Sequence, residues 1–268
     1  MRSWIPWISL ALAGCSSPVV GPDPSAVEQP RAAQGRATAG RVEAPPAAGA
    51  RRAVIVELFS SEGCSSCPPA DEFLRSFAAS APPPDVEVIP LELHVDYWNY
   101  LGWADPFSSE GYSDRQRAYS AAWHKRGVYT PEIVVGGAHE IRDWDRTGEA
   151  VATSARASIA EVKVEAHGAE IAVAVARAPK DADVLFALTE SDLATQVLRG
   201  ENEGKRLAHA PVVRKLERLG AASPEGAFTA RVPWRLEPGW KAEHLRAVAF
   251  VQRPGAGEIV GAGAAPLR

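Results

Sequence analysis

Ala53-Val54-Ile55-Val56-Glu57-Leu58-Phe59, then Cys64-Ser65-Ser66-Cys67, then the stretch from Asp71 to Ala79, is the part of this chain that decides its fold. An apolar run without alternation reads as a strand buried on both faces, as in a parallel or mixed sheet. Phe73, Leu74 and Phe77 give the next stretch the stripe of a helix, and Pro68 is tolerated in its first turn. Ala81-Pro82-Pro83-Pro84 breaks that helix, and Val86 to Val95 reads as a second strand. Strand, helix, strand makes a βαβ unit with a Cys-x-x-Cys at the top of its first strand. A helix N-terminus carries partial positive charge, which favours thiolate over thiol, so the motif is the signature of a reversible dithiol/disulfide.

In such a pair the upstream sulfur is the exposed attacker and the downstream one resolves the mixed disulfide. Cys64 is therefore assigned as attacker and Cys67 as resolver, because Cys64 sits where backbone N–H groups at the helix end lack partners. Ser65 and Ser66 bring no charge, and Glu62 opposes thiolate formation if it lies close. The remaining cysteine, Cys15, follows Arg2, an apolar segment from Trp4 to Leu12, and Leu12-Ala13-Gly14. That order resembles a bacterial lipoprotein signal over residues 1–15, with Cys15 lipidated and Ser16 directing the product to the outer membrane. The plainer alternative is an ordinary secretory signal holding a chance cysteine. The apolar segment is too short to span a bilayer. Export to the periplasm places the pair where disulfides persist, and a bridge closing so short a loop stabilises little.

The net charge of −4 and a sequence pI of about 5.9 leave no dominant basic patch, which argues against nucleic acid as a partner. Met1 is the sole methionine, so thioether copper ligation is out. Residues 16–52, rich in Ala, Pro, Gly and Arg, read as a disordered tether. Residues 53–160 read as an α/β domain and 161–268 as a β-rich C-terminal domain.

All five tyrosines and four of the eight tryptophans lie within 97–144. They read either as core or as a lid beside the dithiol. Ser113-Asp114-Arg115-Gln116 suggests a capping box for a helix that Gly127 ends. Thr130-Pro131 precedes a strand, Glu132 to Val135, and resembles the cis-proline that faces the dithiol in thioredoxin-like proteins. A short return strand at 139–141 and a helix to about Ile159 follow. Beyond it, Val162 to Ala166 and Glu170 to Val175 alternate around His167-Gly168 as a hairpin. Val184 to Leu188, Phe228 to Trp234, Leu245 to Val251 and Glu258 to Gly261 suggest further strands. They read as a small antiparallel layer packed on the first domain.

Four polar residues stand among apolar ones. Glu57 lies inside the most apolar strand, where burial raises a carboxyl pKa and equips it to carry protons for the resolving cysteine. Alternation puts Glu92, His94 and Asp96 on one face of the second strand and Leu91, Leu93 and Val95 on the other. His94, Trp98 and Thr130 are candidate substrate contacts. His124, His139, His167, His209 and His244 are scattered and read as surface or satisfied core.

Glu57 to Asp71, His94-Val95-Asp96-Tyr97-Trp98, Tyr129-Thr130-Pro131, and Glu201 to Leu207 with Val212-Val213-Arg214 together resemble a bacterial family of secreted thioredoxin-like proteins, domain of unknown function 1223. The resemblance covers roughly residues 53–265. It implies a thioredoxin-like fold and export, and no particular substrate. The Trp-Cys-Gly-Pro-Cys surroundings of ordinary thioredoxins are missing, and a long aromatic insertion is added. The expectation is a lipid-anchored, periplasmic thiol–disulfide oxidoreductase using Cys64 and Cys67, with Pro131 facing them and Glu57 assisting. Its partner is a protein thiol or disulfide client, and no cofactor is needed. The alternatives are an envelope scaffold with a vestigial dithiol, or a copper or zinc carrier through Cys64, Cys67 and His94.

Overall fold

A computed structural model describes residues 52–80 and 85–267; the expected signal, the lipidation site Cys15 and the tether up to residue 51 lie outside them. The elements are β1 (Arg52–Ser60), α1 (Pro68–Ala79), β2 (Val86–His94), α2 (Glu110–Ala122), β3 (Glu132–Val135), β4 (His139–Ile141) and α3 (Thr147–Ala157), then β5 (Glu161–His167), β6 (Glu170–Ala176), β7 (Asp183–Glu190), β8 (Ala194–Gln196), β9 (Arg206–Ala208), β10 (Val212–Ala221), β11 (Phe228–Pro233), β12 (Leu245–Gln252) and β13 (Ile259–Pro266). Among the described residues no helix is long and apolar enough to cross a membrane.

The βαβ unit forms as its sequence predicts: β1 and β2 pair in parallel, and β3 adds antiparallel on the other side of β1. The sheet is covered on both faces. Val54, Val56 and Leu58 pack with Ala70 and Leu74 of α1 and Val151 of α3. Ile55 and Phe59 pack with Tyr112 and Tyr119 of α2. That double covering is why the β1 run shows no alternation. α2 begins earlier than the expected capping box: Ser109 is the N-cap and its Oγ accepts from the Gly111 N–H at 3.3 Å.

The C-terminal strands do not build a layer wholly their own. One eight-stranded mixed sheet runs β13-β12-β7-β10-β2-β1-β3-β4, while β11-β6-β5 forms a second sheet and β8-β9 a two-stranded one. Val173, Val175 and Val232 of the second sheet pack on Phe186, Ala249 and Val260 of the first. The two halves of the large sheet meet at β2 and β10 through one register pair, Val212↔Glu92, where the Glu92 N–H donates to the Pro211 carbonyl at 3.0 Å. Pro90, two residues earlier on the same edge, has no N–H to offer, which keeps β10 from pairing further down β2.

Candidate functional site

β1 ends at Ser60 and delivers Ser61-Glu62-Gly63 into the cysteine loop. Cys64 and Cys67 are joined in a disulfide with their Cα atoms 5.5 Å apart. Gly63 is needed for packing: a Cβ there would lie 3.0 Å from Trp98 Cβ. Trp98 in turn donates its Nε1–H to Thr130 Oγ1 at 2.7 Å. The Thr130–Pro131 bond is cis. Glu132 pairs with Phe59, so Pro131 falls beside Ser60, at the end of β1 from which the cysteine loop departs. Cys64, Cys67, Trp98, Thr130 and Pro131 are thus brought to one end of the sheet.

Two expectations about the cysteines need correction. Cys64 is not an exposed attacker, for both cysteines are fully buried at 0% exposure. The segment joining β8 to β9 is tied to their loop. Asn202, itself buried, donates Nδ2–H to the carbonyls of Glu62 and Cys64, each at 2.9 Å. The Ser65 N–H donates to Glu201 Oε2 at 3.0 Å. Second, the helix end is poor in donors. α1 opens with Pro68 and Pro69, which have no N–H, and the N–H groups of Ala70 and Asp71 are both spent on the Cys67 carbonyl. Little of the expected amide field is left for a thiolate on Cys64.

Glu57 is not with the sulfurs. It points to the α2 face, where Arg115 forms a salt bridge with its carboxylate and the Tyr119 hydroxyl donates to it at 2.6 Å. β1 alternates, so odd residues meet α2 and even ones meet α1, the helix the cysteines precede. The same rule puts Glu92 and His94 on the α1 side, and there a cluster of charges lies fully buried.

His94 donates Nδ1–H to Asp105 at 2.7 Å and Nε2–H to Glu92 at 2.8 Å. His209 donates Nε2–H to Glu62 at 3.1 Å and Nδ1–H to the same Glu92 oxygen at 3.3 Å. Asp71, on the first turn of α1, accepts from Ser60 Oγ at 2.8 Å. Trp103 Nε1–H and the Glu62 N–H close the set, on Glu62 Oε2 and Asp105 Oδ2. Burial opposes charge on His209, but hydrogen bonds to Glu62 and Glu92 outweigh it and raise its pKa to about 9. For His94 burial is likewise outweighed, by the Asp105 charge, and the pKa stands well above the ordinary value. Burial, then the Glu92 charge, pushes the Asp71 carboxyl well above the usual carboxylate range.

His94 has no exposed surface, so the reading of it as a contact for a client does not fit. Nor do the sulfurs, joined to each other, offer it a shared ligand set. Sequence reasoning gave no role to Asp105, nor to Asp71 and Asn202, though these two lie in the Glu57–Asp71 and Glu201–Leu207 blocks; His209, read as surface or satisfied core, is a buried and hydrogen-bonded histidine. His209 and Asn202 lie more than a hundred residues downstream of the cysteines, and no spacing in the sequence joins them to the motif. Ligand atoms of Glu92, His94 and His209 lie within 4.8 Å of one another, a spacing that could hold a metal ion.

Residues 55–252 match the model of a family described as a protein of unknown function, DUF1223. No curated protein matches the chain. A crystal structure of a protein from Agrobacterium tumefaciens is similar over 81% of this chain and 95% of that one, with 28% identity and a TM-score of 0.65. HBP35 of Porphyromonas gingivalis is similar over 81% of this chain and 76% of that one, with 15% identity and a TM-score of 0.59, which speaks to the fold alone. A domain of the outer membrane lipoprotein Omp28 from Porphyromonas gingivalis matches 41% of this chain and 89% of that one at 13% identity, with a TM-score of 0.26, too slight a likeness to carry weight.

Proposed function

We propose that this chain, which belongs to the DUF1223 family, is an exported thiol–disulfide oxidoreductase of thioredoxin-like fold, reached by clients when the β8–β9 segment moves off the cysteine loop. The observation that carries this reading is the disulfide itself, set between β1 and α1 beside the cis Thr130–Pro131 bond. A bridge spanning so few residues contributes only about 2 kcal/mol in the loop-entropy picture, which is little reason to keep it as a staple. The Leu12-Ala13-Gly14-Cys15 pattern supports export and lipid anchoring.

In the reductive direction, the Cys64 thiolate attacks one sulfur of a client disulfide and expels the other client sulfur as thiolate. Cys67 then loses its proton and attacks Cys64 Sγ, releasing the second client thiolate and closing Cys64–Cys67. The client gains two electrons, and a partner dithiol restores the pair. The proline-rich helix start and the nearby Glu62 carboxylate do little for a thiolate, so the dithiol holds its electrons weakly and this direction is favoured.

Cys67→Ser stalls the reaction after the first attack, so it should accumulate mixed disulfides on Cys64 in cells. A folded Cys67→Ser protein that traps nothing, together with a folded wild type inert to dithiol reagents, overturns the proposal. The full burial of both cysteines favours a second reading, an envelope binding protein whose disulfide never exchanges. That same outcome supports it.

A further inference from the structure

We propose that Glu92, His94 and His209 form a buried binding site for one divalent metal ion of the zinc class. The proposal is independent of the redox reading and leaves both sulfurs out of the site.

Three observations carry it. First, the donors converge from two parts of the chain: Glu92 and His94 from β2, and His209 from the residue after β9. His94 Nε2 and His209 Nδ1 stand 2.8 and 3.3 Å from Glu92 Oε1, and the three ligand atoms lie within 4.8 Å of one another. Ligands at zinc bond lengths of about 2.0–2.1 Å are about 3.3 Å apart in a tetrahedral shell, so these donors need only small shifts to meet one ion.

Second, Glu92 is fully buried, yet its Oε2 has no hydrogen-bond partner among the described residues. Both histidines crowd onto Oε1. An orphaned carboxylate oxygen in a closed interior is costly, and a cation held by the Glu92 carboxylate would offset that cost.

Third, the outer partners are those of a metal centre. Each histidine turns its far nitrogen to a carboxylate, His94 Nδ1 to Asp105 and His209 Nε2 to Glu62. Carboxylate–histidine pairs of this kind fix the tautomer and ring orientation that a metal requires. On binding, each ring gives up the proton that faces Glu92 and keeps the one that faces its outer carboxylate. Imidazole and carboxylate donors without thiolate suit zinc rather than Cu(I). All three ligand residues are buried, so the ion serves structure: it ties β2 to the segment that leads into β10.

The test uses the full chain, stripped with chelator and then equilibrated with zinc sulfate. Elemental analysis after desalting should give one zinc per chain, and the melting temperature should rise by about 5–10 °C at free zinc about 100-fold above Kd. Cobalt(II) loaded instead of zinc should show the visible bands of a tetrahedral nitrogen–oxygen site without intense sulfur-to-cobalt charge transfer in the near ultraviolet. His209→Gln should lose the metal, and the double variant Cys64→Ser/Cys67→Ser should keep it. A folded wild type that retains no zinc and gains no thermal stability overturns the proposal, and so does a cobalt spectrum with sulfur charge transfer. If His209→Gln does not fold, the stoichiometry and cobalt spectrum of the wild type decide.

Discussion

Asn202→Ala isolates the route to the sulfurs. Its Nδ2 holds two carbonyls of the cysteine loop, those of Glu62 and Cys64, from a hairpin that, among the described residues, pairs only with itself. A lone two-stranded hairpin is marginal in water, so this segment is the cheapest part of the neighbourhood to displace. The Cys64 carbonyl still accepts from the Cys67 N–H at 3.2 Å after the truncation, so the loss is nearer two ordinary hydrogen bonds than two orphaned acceptors. That puts it at about 2 kcal/mol and raises the open fraction about 30-fold. The assay is the rate at which dithiothreitol reduces Cys64–Cys67 in native buffer, followed by thiol alkylation and gel shift, with and without low urea. The variant should react about 30-fold faster than wild type, and both rates should be nearly flat in urea, as local opening requires. Equal rates in the two proteins refute the reasoning. So does a wild-type rate that climbs with urea along the full slope of global unfolding, because the sulfurs would then be reached only by unfolding the sheet.

The dithiol potential should fall at the reducing end of exchange proteins, about −270 mV or lower, in glutathione or dithiothreitol redox buffers; a value near that of strong oxidants would mean the thiolate is stabilised by something other than the helix end. Glu57→Gln should cost about 3 kcal/mol in urea melts, since it leaves the Arg115 charge buried without its partner. The folded variant should exchange disulfides at the wild-type rate, whereas a drop of about 100-fold would return Glu57 to the role of proton carrier. Cys64→Ser/Cys67→Ser should lower stability by no more than about 2 kcal/mol by the same melts, and a much larger loss would mark the bridge as a staple. Trp98→Phe should cost about 1 kcal/mol through its hydrogen bond to Thr130, measured the same way.

Much of the N-terminal half is legible in the sequence alone. The unbroken apolar run of β1, the stripe on α1 and the triple proline after it mark a βαβ unit because each is a local consequence of packing on two faces. The β5–β6 hairpin is legible for a similar reason: its strands alternate and turn at Gly168. β10 was invisible. Its register shifts at Val213/Lys215 and Arg218/Gly220, and each bulge moves the period of two out of phase. The start of α2 was placed late because Ser109 and Ser113 offer the same chemistry, and tertiary packing chose between them. Alternation assigned Glu92 and His94 to one face, but which face met α1 depends on the handed crossover of the βαβ unit. For that reason Glu57 was credited with a part its side of the sheet denies it. The pairing of His94 with His209 spans the whole fold, and only the closure of the sheet brings them together.

The seam between β2 and β10 makes the two halves of the chain inseparable. A fragment ending at residue 160 would keep the cysteines, β1 and β2, yet strand Glu62 and Glu92 without His209 and strip the cysteine loop of Asn202. It would also bare the upper edge of β2 to any passing strand. Gene fusions, crystallisation fragments and swaps between relatives therefore have to carry both halves as a single cassette.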